Sequence, residues 1–539
     1  MTALGLLAAL LLMAPPASNF FWGVNGFRSL PTAGQAGLLL VAAVSWIPAA
    51  RRMQSAGAWA ALSVGLGAIL AFGLPERIHL LGDTQMRIRA MLAFSNRIVL
   101  ESLGSWSSRL HASPLDVLVN FFGPIALNRA GLGVGRAVGW VDFALGLLAL
   151  VGMWRVSARL GPAPGTRVGL ALALALNGML QAFAGYAESG ALLLAATWWW
   201  WAEILAPLDG ARQALRLAAA WVALTLCHRI GIVLALPMLW RALGPAFERD
   251  QPAARRLLLI AIGAIAVMGS LVLAVTGVAA RLAIDVRELV KTASATGWQA
   301  APTDLLNAIL VVAPLAAIAP WLAGAGVARE AARRPDLRLG LLAAFPLLAA
   351  LVWLFPVGDS GLGAHRDWDA NLLLGTVLTV CGGILLARLP ARRLRGALIG
   401  ALPALALAAG GWVAANAYEA AAVLRAQALL DGPPSLPPPQ RSHLELWFGQ
   451  RAMDRREFAA GGEHFDRAFE ASPNPRRALL AAEAWVRAGD PDAARRSLAG
   501  ARARGPLGPE LELSAQRIER MVAAIEPDSS RLPAPPGAR

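Results

Sequence analysis

The sequence predicts an all-α, polytopic membrane protein with a polar helical region at its carboxyl-terminal end. Of its 539 residues, 57% are hydrophobic, and the mean hydropathy is +0.54. Such values are typical of chains with many membrane-spanning helices. The net charge of +15 comes almost entirely from arginine, because Lys291 is the only lysine. We assign this charge to loops at the lipid surface and expect no nucleic-acid partner.

Hydrophobic runs recur through residues 1–428, which we interpret as the transmembrane domain. A helix needs roughly 20 apolar residues to cross a bilayer, and the runs predict about 12–13 spans. The first run is either a signal peptide or an uncleaved span, and the lack of a basic residue before it favours the span. The candidate segments are 2–14, 34–50, 56–74, 137–153, 168–184, 189–206, 217–240, 256–279, 304–324, 338–356, 370–388 and 396–416.

The composition changes after residue 428. A Pro-rich linker is predicted at 429–441, a polar helical region at 442–525 and a disordered tail at 526–539. Within the helical region, Phe465 aligns with Leu498 and Pro473 with Pro506, each pair 33 residues apart. This spacing resembles tetratricopeptide (TPR) repeats, which bind peptides in a concave groove. Unrelated amphipathic helices remain the alternative.

The distribution of arginine predicts the orientation of the spans. Short arginine-rich loops stay in the cytoplasm, and such loops surround Arg51, Arg155, Arg212, Arg241, Arg333 and Arg392. All of them face the same side only if segment 217–240 enters the membrane and returns, with His228 and Arg229 at its tip. A single span would instead bury this charged pair at mid-membrane. The hairpin makes residues 75–136 the first large periplasmic loop and places the carboxyl-terminal region in the periplasm.

An acid opens that loop. Asp83 follows a span directly, where it could act as a general base at the mouth of a cavity or simply cap the helix that begins at Thr84. Arg87 lies one helical turn further on, and we place it in the lining of the same cavity.

A second group of polar residues precedes segment 189–206. Asn177, Gln181 and Glu188 have helical spacing (i, i+4 and i+11), which predicts one polar helical face lining a cavity or a helix contact. Tyr186 is one of two tyrosines in the chain. An ordinary interfacial turn remains the alternative.

Two arginine-containing stretches are candidate anion sites, because the planar guanidinium is suited to phosphate. One is His228-Arg229, whose alternative role is interhelical hydrogen bonding. The other is "HRDWD", in which Arg366 stands between His365 and Asp367. Here the alternative is a salt-bridged loop that closes the helical bundle, with Asp369 capping the next span.

The stretches "LLGDTQMR" (80–87), "GYAES" (185–189) and "HRDWD" (365–369), together with the long first outer loop, resemble GT-C glycosyltransferases. The resemblance implies a GT-C-like fold in a bacterial cytoplasmic (inner) membrane. It implies a polyprenyl-phosphate sugar as donor, a glycan, lipid or protein as acceptor, and inversion at the anomeric carbon. The carboxyl-terminal repeats are similar to those of TPR-bearing O-mannosyltransferases and would bind a periplasmic protein or peptide.

The same resemblance assigns roles to residues. Asp83 would be the catalytic base, and Arg366, His365, Arg229 and His228 would bind the donor phosphate. Thr84 and Gln85 follow Asp83 where the family often has a second acid, so we expect no metal and no other cofactor. The residues expected to line the substrate cavity are Glu188, Tyr186, Gln181, Asn177, Asp367 and Arg87.

Two other functions fit the same features. One is a transporter or flippase for a lipid-linked or anionic solute, which would use the same cavity and charges. The other is a non-catalytic scaffold, in which the spans anchor the TPR-like region.

Reporter fusions along the chain test the predicted topology. Fusions after Gly82, Glu188, Gly210, Arg229, Gly363 and Gln440 should report a periplasmic position at every site except Gly210. A cytoplasmic signal after Gly363, with Arg229 inside a single span, would place the predicted site residues on opposite sides of the membrane.

Overall fold

Helices account for all the regular structure in the residues that the computed structural model describes, which confirms the all-α fold class. These residues form two compact units, and the second begins at Leu429. The described residues are 12–13, 22–51, 53, 55–81, 84–96, 113–161, 165–244, 250–275, 302–354, 368–432 and 435–525.

The described residues in the amino-terminal half of the first unit are mostly helical. A π-helical turn over Ile69–Gly73 extends α2, and α4 follows a short helix at Pro114–Asp116 and a π-helical turn at Val117–Phe122. The helices are α1 (Thr32–Val44), α2 (Ala56–Ala68), α3 (Thr84–Asn96), α4 (Gly123–Arg129), α5 (Val134–Arg159), α6 (Arg167–Ala175) and α7 (Gly190–Ile204).

The described residues in the second half of this unit are also mostly helical. Helices α11 and α12 meet at an angle of 81°, at a break before Pro314. The helices are α8 (Ala211–Cys227), α9 (Ala235–Leu243), α10 (Pro252–Val275), α11 (Pro302–Val312), α12 (Pro314–Ala332), α13 (Pro335–Leu354), α14 (Leu372–Ala387), α15 (Ala391–Ala417) and α16 (Glu419–Asp431).

Several helical segments are long and apolar enough to cross a membrane, judged by length and composition. Within the described residues there are five, or six if the bent pair Asp304–Val312 and Pro314–Ala332 is one span. The five are Thr32–Ala50, Ala56–Gly73, Val134–Arg159, Trp368–Ala387 and Ala391–Ala417. Other predicted segments form shorter elements. Segment 168–184, for example, consists of α6 and a 3₁₀ turn at Gly178–Phe183.

Segment 217–240 is not one continuous helix. Helix α8 ends at Cys227, and His228 is extended, with φ −159° and ψ 130°. A 3₁₀ turn over Arg229–Leu234 then folds back on the end of α8, because a Cβ at Gly231 would lie 3.0 Å from Leu224. Residues seven apart on a straight helix are roughly 10 Å apart along its axis. The chain therefore reverses at the predicted tip.

Close helix packing in the first unit depends on glycine. Helices α5 and α7 cross at Gly152, where a Cβ would lie 2.8 Å from Trp198 Cβ and 3.1 Å from the Trp198 backbone. Trp198 is completely buried. The crossing therefore leaves no space for a side chain at this position, and it fixes the middle of α7 against α5.

The second unit is a series of helices joined by short turns, and each packs against the next. Asn474 and Asp490 begin α19 and α20, since their side chains accept hydrogen bonds from the N–H groups of Arg476 and Ala493. Helices α17 and α18 approach closely at Gly449, where a Cβ would lie 2.6 Å from the Phe465 ring. The helices are α17 (Pro438–Asp454), α18 (Phe458–Ala471), α19 (Pro475–Ala488), α20 (Pro491–Arg502) and α21 (Pro509–Ile525).

The α5–α7 crossing generates a stability prediction. Replacing Gly152 with alanine should lower the thermal unfolding midpoint of the purified protein, because overpacking a tight contact costs about 1–3 kcal/mol. The control is Gly263→Ala on α10, where a Cβ would meet no atom within 4 Å. This change should be neutral or stabilising, since alanine favours helix over glycine. Equal midpoints for the two variants would contradict the prediction.

Candidate functional site

A buried ion pair fixes the helix that follows Asp83. Arg87 lies on α3, and its Nη2 is 2.6 Å from Asp116 Oδ2, while Nη1 donates to Oδ1 at 3.3 Å. The two side chains are 9% and 3% exposed. Burial alone would lower the pKa of Arg87, but the charges of Asp116 and Glu188 outweigh it and raise the pKa above its usual value. This arginine is therefore a fixed cation.

Asn120 extends this pair to the loop before α7. It lies one turn beyond Asp116, and its Nδ2 donates to Asp116 Oδ1 at 2.9 Å and to the Glu188 carbonyl oxygen at 3.0 Å. We call Arg87, Asp116, Asn120 and Glu188 the Arg87 cluster. Three separate parts of the sequence meet in this cluster: α3, the segment around Asp116, and the "GYAES" loop.

The conformation of the "GYAES" loop is fixed from two sides. The backbone N–H groups of Gly185 and Tyr186 lie close to the carboxyl group of Asp142 on α5. Gly185 has φ +73°, and a Cβ there would lie 3.1 Å from Pro75 Cβ, so the position requires glycine. Glu188 accordingly lies in a loop that packs against both α5 and the segment before Asp83.

Tyr186 is completely buried in this loop. Burial raises its pKa well above the usual range, and the negative charges of Asp369, Glu188 and Glu76 raise it further. The phenol is therefore neutral at physiological pH. It can donate a hydrogen bond to an anion or to an oxygen that is gaining negative charge.

A line of aromatic rings leads away from Tyr186. The ring centroids are 5.8 Å apart for Tyr186 and Trp368, and 5.9 Å apart both for Trp368 and Trp412 and for Trp412 and Trp22. We call these four side chains the aromatic ladder. Trp368 and Asp369 are the last two residues of "HRDWD", and both lie close to Tyr186 of "GYAES".

The end of α8 also approaches the Arg87 cluster. Helix α8 packs against the short helix Pro114–Asp116, and Cys227 lies within electrostatic range of Asp116. The ring of His228 is half-buried, and its Nδ1 accepts a hydrogen bond from the Ile230 N–H at 3.2 Å. His228 thus helps to hold the turn at the predicted tip.

The structure corrects one interpretation drawn from spacing. Asn177, Gln181 and Glu188 do not share one helical face, because the α-helix ends at Ala175. The Asn177 side chain accepts from the Met179 N–H at 2.9 Å and starts the 3₁₀ turn. Asn177 is therefore a capping residue, while Gln181 is fully buried with no hydrogen-bond partner for its amide in the described part of the chain.

Other predicted site residues lie outside the described part of the chain. They include the proposed base Asp83 and the residues His365, Arg366 and Asp367. The side chain of Arg229 also lies outside it, although its backbone begins the 3₁₀ turn after His228.

The sequence reasoning missed Asp116, Asn120, Asp142 and Glu76. Asp142 stands alone in the apolar run 137–153, and an acid within a span is itself a signal of function. Asp116 and Asn120 have the i, i+4 spacing of one helical face. Glu76 lay in a loop with no recognisable pattern, and its Oε1 accepts a hydrogen bond from the Leu81 N–H at 3.0 Å.

These contacts fix the chain on both sides of Asp83. Glu76 holds Leu81 before it, and Asp116 holds Arg87 after it. The described residues that precede and follow position 83 in the sequence are thus held by buried contacts. Glu76 and Arg87 both lie within electrostatic range of the neutral phenol of Tyr186. Among the described residues, no three His, Cys, Asp or Glu side chains are grouped to hold a metal ion.

No known protein family, curated protein or solved structure matches this chain. The class of site is therefore defined by its geometry alone. It is a buried ionic and aromatic cluster at one end of a set of long apolar helices.

The Arg87–Asp116 pair generates a prediction about stability. Arg87→Met should lower the free energy of unfolding by about 3–5 kcal/mol, because it leaves Asp116 buried without a cation. The double variant Arg87→Met/Asp116→Leu should recover much of this loss. Thermal and denaturant unfolding of the purified protein measure both effects.

The control for this cycle is an exposed ion pair. Arg495 Nη1 is 2.8 Å from Asp492 Oδ1, with side chains 46% and 78% exposed, so Arg495→Met should change stability by about 0–1 kcal/mol. If the double variant were no more stable than Arg87→Met, pairing of the two buried charges would not be what holds the cluster together.

Proposed function

We propose that this protein is a polytopic membrane glycosyltransferase that transfers a sugar from a polyprenyl-phosphate donor to an extracytoplasmic acceptor, with inversion. The observation that carries the proposal is the pair of buried contacts that flank Asp83 in the sequence. Glu76 accepts from the Leu81 N–H, Arg87 pairs with Asp116, and both Glu76 and Arg87 lie within electrostatic range of Tyr186. The resemblance of the same motifs to GT-C enzymes supports it.

The proposed membrane location rests on the apolar surface and on the long helices. Trp321 and Phe345 are each 76% exposed, which water disfavours and lipid accommodates. The helices of spanning length supply the rest of the apolar surface. We place the protein in the bacterial inner membrane, with the Arg87 cluster and the second unit on the periplasmic side.

The proposed reaction is a direct displacement. Asp83 takes the proton of an acceptor hydroxyl, and the hydroxyl oxygen forms a bond to the anomeric carbon. The bond from that carbon to the phosphate oxygen breaks, and the lipid phosphate leaves with the electron pair. Arg366, with Arg229 and His228, would stabilise the leaving phosphate. The attack from the opposite face inverts the configuration.

Two residues change roles in this proposal. Arg87 is not offered to the substrate, because Asp116 occupies its guanidinium in a bidentate contact. It acts as a positioning residue that fixes α3 behind Asp83. Tyr186, kept neutral by burial and nearby acids, donates a hydrogen bond to the donor. Glu188 and Gln181 contact sugar hydroxyls.

The second unit is proposed to be a TPR-like helical array that binds a periplasmic protein or peptide. Small residues at its helix crossings support this. Gly449 packs on the Phe465 ring, and Ala501 is buried at the position equivalent to Ala468. Asp466 on α18 links this helix to α19 and α20, since it accepts hydrogen bonds from Trp485 Nε1 and Ser497 Oγ.

Replacing the proposed base tests the function. Asp83→Asn keeps the size of the side chain but removes the base, so transfer from radiolabelled polyprenyl-phosphate sugars in membranes should fall by roughly 10²-fold or more. Asp209→Asn is the control, because Asp209 is exposed between α7 and α8, far along the chain from the cluster. Its rate should equal that of the unchanged protein.

Two results would exclude the proposal. One is an Asp83→Asn variant that transfers sugar at the full rate. The other is an unchanged protein that consumes none of the polyprenyl-phosphate sugars offered, although it is folded and inserted in the membrane.

A further inference from the structure

Arg425 is a buried cation without an acidic partner in the described part of the chain. It lies on α16, is 5% exposed, and forms two hydrogen bonds, both to neutral oxygens. Its Nη1 donates to Asn416 Oδ1 at 3.1 Å, and its Nη2 donates to the Trp22 carbonyl at 3.2 Å. Since a guanidinium carries five N–H donors, most of its donor capacity is unused within the described residues.

The other buried arginines of this unit are paired. Arg87 contacts Asp116, and Arg241 donates to both carboxylate oxygens of Asp250 at 2.9 and 2.7 Å. An unpaired charge in a protein interior costs several kcal/mol, so partners are the rule. Burial lowers the pKa of Arg425 to about 10, which still leaves it charged at neutral pH. Its charge is therefore not neutralised by the described chain.

The surroundings of Arg425 are also incompletely satisfied. Its guanidinium lies 4.8 Å from the Trp412 ring, in the aromatic ladder. The indole N–H groups of Trp412 and Trp368 are buried without a hydrogen-bond partner among the described residues. The side-chain amide of Gln181 is also buried without a partner among these residues. Gln181 lies on the same face of the 3₁₀ turn as Gly178, and Gly178 contacts Trp412. Buried donors without acceptors are uncommon in proteins, and the oxygen atoms of a bound ligand would satisfy them.

We propose that Arg425 and the neighbouring Trp412 of the aromatic ladder bind the phosphate of a membrane lipid. The fork of the guanidinium matches two phosphate oxygens. The site adjoins apolar surface, because α15 is long and apolar enough to span a membrane and ends at Ala417. Tyr418 and Leu424, beside it, are 44% and 53% exposed. A phosphate headgroup with a hydrocarbon tail fits both features.

The inference goes beyond the proposed function, because binding at Arg425 requires no sugar transfer. It adds an anchor for phosphate that the sequence motifs did not include. If the protein transfers sugar, this anchor is separated from Tyr186 by Trp368 along the aromatic ladder.

Direct binding to the full-length protein in detergent tests the inference. The probes are farnesyl monophosphate, farnesol and inorganic phosphate, measured by isothermal titration. Farnesyl monophosphate should bind, and Arg425→Gln should weaken it by roughly tenfold or more, since it removes the charge but keeps an amide donor. Farnesol should bind weakly and equally to both proteins. Inorganic phosphate that binds more weakly than farnesyl monophosphate, with the same dependence on Arg425, would identify a lipid headgroup as the source of the phosphate.

Arg425→Lys serves if the glutamine variant does not fold. It keeps the charge and loses the planar fork, so binding should weaken by a smaller factor. The matched control is Arg241→Lys, which alters a paired buried arginine and should leave farnesyl monophosphate binding unchanged.

Several results would overturn the inference. They are full-strength binding of farnesyl monophosphate to a folded Arg425→Gln or Arg425→Lys variant, equal binding of farnesol, and absence of binding of both phosphates to the unchanged protein. A protein that binds farnesyl monophosphate through Arg425 but transfers no sugar would retain this inference and exclude the glycosyltransferase proposal.

Discussion

The interaction on which the candidate site depends is the buried pair of Arg87 and Asp116. The first unit is so apolar that each charge inside it needs a partner, and this requirement draws distant segments together. Asp116 brings α3 to the segment before α4, and Asn120 extends the contact to the Glu188 carbonyl. Without this pair, α3 would lose its bidentate ionic contact with Asp116.

The same constraint operates at the arginine-rich end of the helices, with a different result. There Asp250 accepts from Arg241 and from the Leu208 N–H, and Glu203 accepts from Arg155 and Gln213. These acids are saturated by protein donors, so they join loops and offer nothing to a ligand. Around the aromatic ladder, by contrast, the Gln181 amide and two indole N–H groups are unsatisfied in the described residues.

Hydrophobicity predicted much of the helical framework but not its interruptions. Segment 370–388 corresponds to α14 at Leu372–Ala387, because a long apolar run has few alternatives to a helix. The prediction of one continuous helix over 168–184 was wrong, because Asn177 caps a 3₁₀ turn where the α-helix was expected to continue. Capping depends on whether one side chain or a backbone carbonyl accepts a single N–H hydrogen bond. The mean hydropathy of a long segment carries no information about that choice.

Site residues could be predicted from the sequence where a short stretch alone made them stand out. They could not be predicted where their role depends on a partner distant in sequence. "GYAES" stands out because Tyr186 and Glu188 interrupt an apolar stretch, but the partner of Arg87 lies 29 residues away with no periodic relation to it. The role of Arg425 could not be predicted from the sequence for the same reason. An arginine in a polar helix is unremarkable in sequence, and only the fold reveals that it is buried on Trp412 without an acid in the described chain. A ligand phosphate would supply the missing charge, so binding there would stabilise the fold as well as place the lipid.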